Sequence, residues 1–378
     1  MILNRRSFGE GPSTSLFTFG TMRSVSSKEQ MCKILREAYY SEINHIETSA
    51  IYGRAEEYLG SSINKLDQEG ICSRNYWLIT SKIIPGGSFE KSKKKLKEIL
   101  KRLRLEKIDN LAIHGLNLKE HLEWTLKGPG NEFIKWAKSK ELITQVGFSS
   151  HGDLDLIQEA IDSDFFSFCS LHLHLFDQSR IPIAKHALKK NMGVMAISPV
   201  DKGGKLQNPS KILNEDCAPL TPIELAYKFL ISQGISTLTL GASKAEDFTI
   251  PRKFNSSDYL LNETEVKPLM RLKEKGRQRL GNTYCGQCRE CLPCPNQIPI
   301  SEILRLRNLS IGHDLYEYTK ERYNLINRAG HWWETINASA CNNCGECIPR
   351  CPNNLNIPEL LKETHTKLLD KPRRRLWS

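Results

Sequence analysis

Eight short β-like runs, each followed by an amphipathic stretch, and a cysteine-rich motif that recurs 56 residues on, define the fold class this sequence predicts. It is an α/β chain: a (β/α)8 barrel of the TIM type, followed by a small, mainly α-helical domain. The strand candidates are, in order, LFTFG, NHIE, YWLITSK, KIDNLAIHG, ITQVGFSS, FSFCSLHLH, GVMAISPV and STLTLGAS. Between them lie SSKEQMCKILREAYYS, EEYLGSSINKL, GNEFIKWAKSKEL, LDLIQEAIDS and PIELAYKFLISQ, whose apolar residues recur at helical spacing. The run from Lys91 to Lys107 belongs with them, because Leu96, Ile99, Leu100 and Leu103 form one apolar stripe under a solvated basic face. A doubly wound sheet alternates in the same way but carries a glycine-rich turn after its first strand. Here that strand ends in GTMRSV, with no G-x-G-x-x-G near it.

The remaining boundaries follow from composition. Residues 255 to 283 are polar, charged and helical, which reads as a way out of the barrel. The expected division is a barrel over 1–265, a helical connector over 266–283, a cysteine-rich domain over 284–365 and a basic tail over 366–378. The 378 residues suffice for two or three domains, and 39% hydrophobic with 26% charged residues excludes a disordered chain. No run approaches the roughly 18 apolar residues of a membrane helix, so no membrane span is expected. The opening MILNRRSFGEGPSTS lacks the apolar core of a secretory signal, which predicts a cytoplasmic protein. The net charge of +11 is spread widely, and no nucleic-acid-binding motif accompanies it, so no nucleic-acid partner is expected.

Twelve cysteines are present, and eight lie between Cys285 and Cys351. The others, Cys32, Cys72, Cys169 and Cys217, stand singly and read as small buried hydrophobes. The second copy of the repeat, Cys341, Cys344, Cys347 and Cys351 before Pro352, has the spacing C-x2-C-x2-C-x3-C-P of bacterial ferredoxins. The first copy, Cys285, Cys288, Cys291 and Cys294 before Pro295, is one residue shorter. In such runs the fourth cysteine ligates the other cluster. Two 4Fe-4S clusters are therefore expected, one on Cys285, Cys288, Cys291 and Cys351, the other on Cys341, Cys344, Cys347 and Cys294. A pair of zinc sites is the alternative, but it leaves a third cysteine over in each copy and gives the closing Cys-Pro no role. Pro299 and Pro358 are placed for the first turns of helices, and residues 300 to 329 between the copies look helical.

Three reactive side chains stand at neighbouring strand ends: Tyr52 after the second strand, Lys82 closing the third and His114 closing the fourth. The carboxyl ends of barrel strands share one mouth, where barrel active sites lie. Together with RRSFGEGPSTSLFTFGTM, VGFSSHG, ISPVDKGGKL and LGASK, these residues resemble the aldo/keto reductase family over about residues 2 to 250. The whole chain looks like the subgroup with a carboxyl-terminal ferredoxin-like domain. The resemblance implies an oxidoreductase whose Tyr52 gives a proton to a carbonyl oxygen, with Lys82 lowering the phenol's pKa, a carboxylate holding the lysine, and His114 orienting the carbonyl. It also implies nicotinamide contacts from Ser149 and Ser150, and phosphate contacts from Ser198, Lys202, Gly241, Ala242 and Lys244, of which Lys244 favours NADP(H). The sequence departs from the family at three positions: Glu47 stands where the carboxylate is Asp, Ile197 where an aromatic stacks on nicotinamide, and Ser170 where a glutamine is usual.

The expected activity is interconversion of a small-molecule carbonyl and alcohol, with the clusters exchanging electrons with an acidic one-electron carrier of ferredoxin or flavodoxin type. Hydride is a two-electron unit and a cluster passes one electron at a time. A flavin such as FMN in the phosphate site would join the two. The alternative is a non-catalytic, nucleotide-binding regulatory barrel whose clusters brace or sense.

Overall fold

The computed structural model describes residues 4–200, 204–254 and 259–371. Two strands, β1 (Arg5–Phe8) and β2 (Gly11–Ser15), form an antiparallel hairpin. The next eight are β3 (Phe17–Gly20), β4 (His45–Glu47), β5 (Leu78–Ile83), β6 (Ile108–His114), β7 (Ile143–Ser150), β8 (Phe168–Leu171), β9 (Gly193–Ala196) and β10 (Thr237–Leu240). They close in sequence order, with β10 pairing back to β3 in parallel. Each run expected as a strand overlaps one of these eight, with β5 reaching one residue beyond its run to Ile83.

The hairpin is an addition the alternating pattern does not reveal, and it seals the amino-terminal end of the barrel. Its turn depends on Gly9, which has a φ of +65° and would place a Cβ 2.2 Å from the Ser167 carbonyl oxygen. The turn carries Phe8 inward onto Ala112, Phe168 and Met195, all fully or almost fully buried. Gly147 leaves room for the Phe168 ring, since a Cβ there would lie 2.5 Å from it. Against this apolar plug lies a buried polar network. His45 bonds Thr18 through Nδ1 and Thr80 through Nε2, both at 2.7 Å, and Gln145 Nε2 donates to Asn110 Oδ1 at 2.8 Å and to the Phe8 carbonyl at 3.0 Å.

Helices follow the strands at Lys28–Tyr40, Ala55–Gln68, Phe89–Leu103, Pro129–Ser139, Leu154–Asp162, Ile181–Lys189 and Pro222–Ser232. Ser27 and Ser88 cap the first and third of these by accepting from Gln30 and Lys91 N–H groups. In Phe89–Leu103 the buried residues are Ser92 and the expected stripe of Leu96, Ile99, Leu100 and Leu103.

The chain divides into two compact units. One runs to Pro199 and takes in Ala226–Leu260; the other combines Val200–Leu225 with the chain from Leu261 onward. The second unit contains helices Lys211–Cys217, Glu263–Leu280, Ile300–Gly312, Tyr316–Tyr323 and Ile357–Leu368. The polar 255–283 stretch thus supplies a helix that packs within this unit. Arg279 holds Asp216 through two hydrogen bonds, the Nη2–Oδ1 one at 3.0 Å, and donates to the Gly312 carbonyl at 2.9 Å. Residues 300–329 form two helices separated by a turn. Pro358 lies in a first helical turn as expected, whereas Pro299 is the residue before its helix. The end of the basic tail, 372–378, lies outside the described residues.

Candidate functional site

β4, β5 and β6 bring Glu47, Lys82 and His114 to the same end of the barrel, and Tyr52 follows in the loop after β4. Side chains alternate along a strand, so His45 and Glu47 share the inward face of β4, Thr80 and Lys82 that of β5, and Ala112 and His114 that of β6. Lys82 Nζ is in direct contact with Glu47 and donates to Tyr52 Oη and the Thr48 carbonyl, both at 3.0 Å. Tyr52 Oη donates to Glu47 Oε1 at 3.3 Å. His114 meets Ser49 Oγ through Nδ1 at 3.2 Å, and its ring stands edge-on to Tyr52 with centroids 6.1 Å apart. The four residues named from the sequence are therefore brought together, and Glu47 reaches the lysine despite its extra methylene.

The electrostatics correct one expectation. Lys82 was expected to lower the Tyr52 pKa, yet enclosure of the hydroxyl end raises it above the usual phenol range. The same burial pushes the Lys82 ammonium well below its usual value, opposed by the carboxylate against it. Desolvation disfavours tyrosinate more than the nearby cation favours it. The phenol is therefore protonated at neutral pH, the form a proton donor requires.

The nicotinamide contacts expected from the sequence are partly spent. Ser150 Oγ gives its proton to the Leu116 carbonyl at 2.6 Å and accepts from Gly152 N–H, so it has no proton left for a ligand. Ser149 Oγ accepts from Gly115 N–H at 3.1 Å and keeps its own proton. Its register partner Ser170 has a buried hydroxyl with no hydrogen-bond partner among the described residues. Ser149 and Ser170 together suit a carboxamide; Ser150 braces the loop. Ser198 N–H bonds Thr239 Oγ1, and Ile197 N–H bonds the Leu171 carbonyl. Gly241, Ala242 and Lys244 follow β10, with Lys244 exposed, and Lys202 lies outside the described residues. Not anticipated from the sequence is a group of imidazoles on neighbouring strand ends: His151 after β7, with His172 and His174 after β8. Its signal is the adjacency of SSHG and LHLH once the two strands are paired.

In the second unit the cysteines sort into two hollows of about 320 Å3 each, open mouths included. Cys285, Cys288, Cys291 and Cys351 line one; Cys294, Cys341, Cys344 and Cys347 line the other. This is the crossed grouping of the repeat. Among the described residues no three His, Cys, Asp or Glu side chains are placed to hold one metal ion. A cubane places each thiolate on a different iron, so it suits four sulfurs spread around a hollow. Burial raises the Cys285 and Cys347 thiols and pushes Cys291 up to about 11, which favours the protonated thiols where no cation lies against them. Gln287 Nε2 also donates to Cys285 Sγ at 3.2 Å.

A closed eight-stranded parallel barrel with Tyr, Lys, His and Glu gathered at its carboxyl end defines a class of barrel oxidoreductases. The chain belongs to the aldo/keto reductase family, whose model matches residues 16–216, more than half of it. It is similar to the uncharacterized oxidoreductase YqkF of Bacillus subtilis, 25% identical over 261 residues that span 60% of this chain and 82% of the relative. Among solved structures it resembles the holo form of aldo-keto reductase AKR11C1 from Bacillus halodurans, with a TM-score of 0.60 and 18% identity, covering 71% of this chain and 95% of that one. An aldo/keto reductase from Brucella melitensis gives a TM-score of 0.55 at 19% identity, covering 71% and 99%. The chain is accordingly an oxidoreductase, and the non-catalytic alternative is set aside. No helix among the described residues is long and apolar enough to cross a membrane.

Proposed function

We propose that this chain is an iron–sulfur aldo/keto reductase that reduces a small-molecule carbonyl with NADPH at residues 1–265 and carries two 4Fe-4S clusters in residues 284–365. The observation that carries the reading is Lys82 Nζ, 3.0 Å from Tyr52 Oη and held by buried Glu47. Tyr52 donates a proton to the carbonyl oxygen as negative charge develops there, and Lys82 stabilises the tyrosinate left behind. His114, oriented by Ser49, holds the carbonyl. Ser149 and Ser170 would hold the nicotinamide amide, and Ser198, Lys202, Gly241, Ala242 and Lys244 the phosphates. A nicotinamide bound there supplies the hydride. Ile197, too small to stack on that ring, favours FMN as the second reading.

The eight cysteines bind the clusters in the crossed grouping, and the exposed Cys288 and Cys344 mark the edges through which an acidic one-electron carrier exchanges electrons. Thiols not paired as disulfides suit a cytoplasmic setting. Anaerobic purification followed by extracted-cofactor analysis and NADPH oxidation with simple aldehydes tests the barrel reading. Cys344→Ser tests the relay: reduction by an external carrier fails while the barrel folds. Unchanged carrier reduction in that variant refutes it.

A further inference from the structure

The two copies of the cysteine repeat share a backbone conformation but not the side chain it carries. Gln287 and Asn343 each follow the first cysteine of their copy by two residues, and both have a φ of +60°. Left-handed backbone suits Asn better than a longer side chain, so Gln287 stands there at a conformational cost. Its extra methylene brings Nε2 to 3.2 Å from Cys285 Sγ, and its backbone N–H faces the same sulfur. Asn343 is exposed, and its Oδ1 accepts the Cys341 thiol proton across 3.9 Å. A sulfur that ligates iron has no proton to give, so that contact ends when the site is loaded. An N–H donated to Cys285 persists and strengthens, because its acceptor is then charged. The Cys285 peptide is also fixed: its N–H donates to Asn308 Oδ1 at 3.4 Å and its carbonyl accepts from Asn308 Nδ2 at 2.8 Å. Charge does not separate the two hollows, since one arginine lines each, Arg289 and Arg350. Burial does, with Cys291 and Cys351 buried in the first and Cys347 alone in the second.

We propose that Gln287 raises the reduction potential of the cluster held by Cys285, Cys288, Cys291 and Cys351. The inference rests on the two-cluster reading and gives the two clusters unequal surroundings. Reduction adds one electron, supplied by the external carrier, and moves no proton. It takes a cluster with its four thiolates from a charge of about −2 to about −3. Part of the added charge resides on sulfur, so an N–H aimed at sulfur favours the reduced form. Burial of two thiolates acts the other way, by disfavouring the more highly charged form. Gln287 offsets that penalty at the more enclosed hollow and keeps the first cluster within reach of the same carrier.

Anaerobic potentiometric titration of the full-length protein, followed by EPR and by bleaching of the visible absorbance, tests this without turnover. In Gln287→Leu one of the two midpoints falls while iron and sulfide stay at the wild-type content. The expected loss is about tenfold in the equilibrium constant for reduction, or about 59 mV for one electron. Gln287→Glu keeps the shape, sets an oxygen against the sulfur and lowers the same midpoint at least as far. It covers the case in which the first variant loads no cluster. Asn343→Leu moves neither midpoint. Unmoved midpoints in both Gln287 variants, or an equal fall in Asn343→Leu, overturn the proposal while the clusters stand. Wild-type protein that holds no iron and sulfide refutes the two-cluster reading itself, and the proposal falls with it.

Discussion

Replacing Lys82 by Met removes one half of a buried ion pair. The Lys82 side chain is 2% exposed and Glu47 is 9% exposed. In Lys82→Met, Glu47 retains the 3.3 Å bond from Tyr52 but loses its countercharge, and the Thr48 carbonyl and Tyr52 Oη lose their 3.0 Å donor. Stranding one partner of a buried pair costs about 3–5 kcal/mol, whereas losing an exposed pair costs about 1 kcal/mol or less. The expected destabilisation is therefore about 3–5 kcal/mol, read from urea unfolding followed by tryptophan fluorescence. The double variant Lys82→Met/Glu47→Leu replaces both charges with apolar groups, and it recovers most of that loss because nothing charged remains desolvated. Neither variant reduces a carbonyl. A cost below about 1 kcal/mol in Lys82→Met, or a double variant no more stable than the single, refutes the reasoning. The outcome separates a pair kept for chemistry from a pair kept for stability.

Tyr52→Phe leaves the Lys82–Glu47 contact in place, so kcat falls at least about 10²-fold with little change in unfolding midpoint; intact turnover places the chemistry elsewhere. His45, pushed by burial from 6.5 down to about 3, is neutral when folded, whereas the unfolded chain takes up a proton below about pH 6.5. Stability therefore falls with pH between about 6.5 and 3, by up to about 1.4 kcal/mol per unit, and His45→Asn flattens the slope in urea unfolding at pH 7 and 5.5. Anaerobically prepared protein holds close to eight irons and eight sulfides, as eight thiolates in two hollows require, by colorimetric assay. Four irons would show that the shorter first copy binds no cluster.

The barrel was legible because a strand buried on both faces reads as a continuous apolar run, as LAIH and GVMA do, between helices of period 3.6. The amino-terminal hairpin was not. RRSFGEGPSTS has neither the apolar run nor the alternation of a buried strand, and its role depends on one residue, Phe8, meeting Phe168 and Met195 from distant strands. The helix Lys211–Cys217 is hidden for a related reason. Seven residues give barely two turns of periodicity, and its Asp216 is anchored by Arg279, 63 positions away in sequence.

The site divides along the same line between what a strand end dictates and what only register reveals. Lys82 and His114 could be named because each closes an apolar strand at the barrel's carboxyl mouth, Tyr52 because it follows such a strand, and Glu47 through the resemblance to the aldo/keto reductase family. The cysteine grouping could be named because a repeated spacing carries its own geometry. The protonation of Tyr52 could not, since the competition between a nearby ammonium and desolvation is decided by enclosure, which sequence spacing does not encode. Nor could the loss of Ser150 to the Leu116 carbonyl, which depends on how the loop after β6 folds back over β7. The pairing of His151 with His172 needs the Ser150–Leu171 rung to be known first; a slip of one residue would face the two imidazoles in opposite directions. Residues that act alone at a strand end are readable from sequence, and residues that act as pairs across strands become readable once the register is fixed.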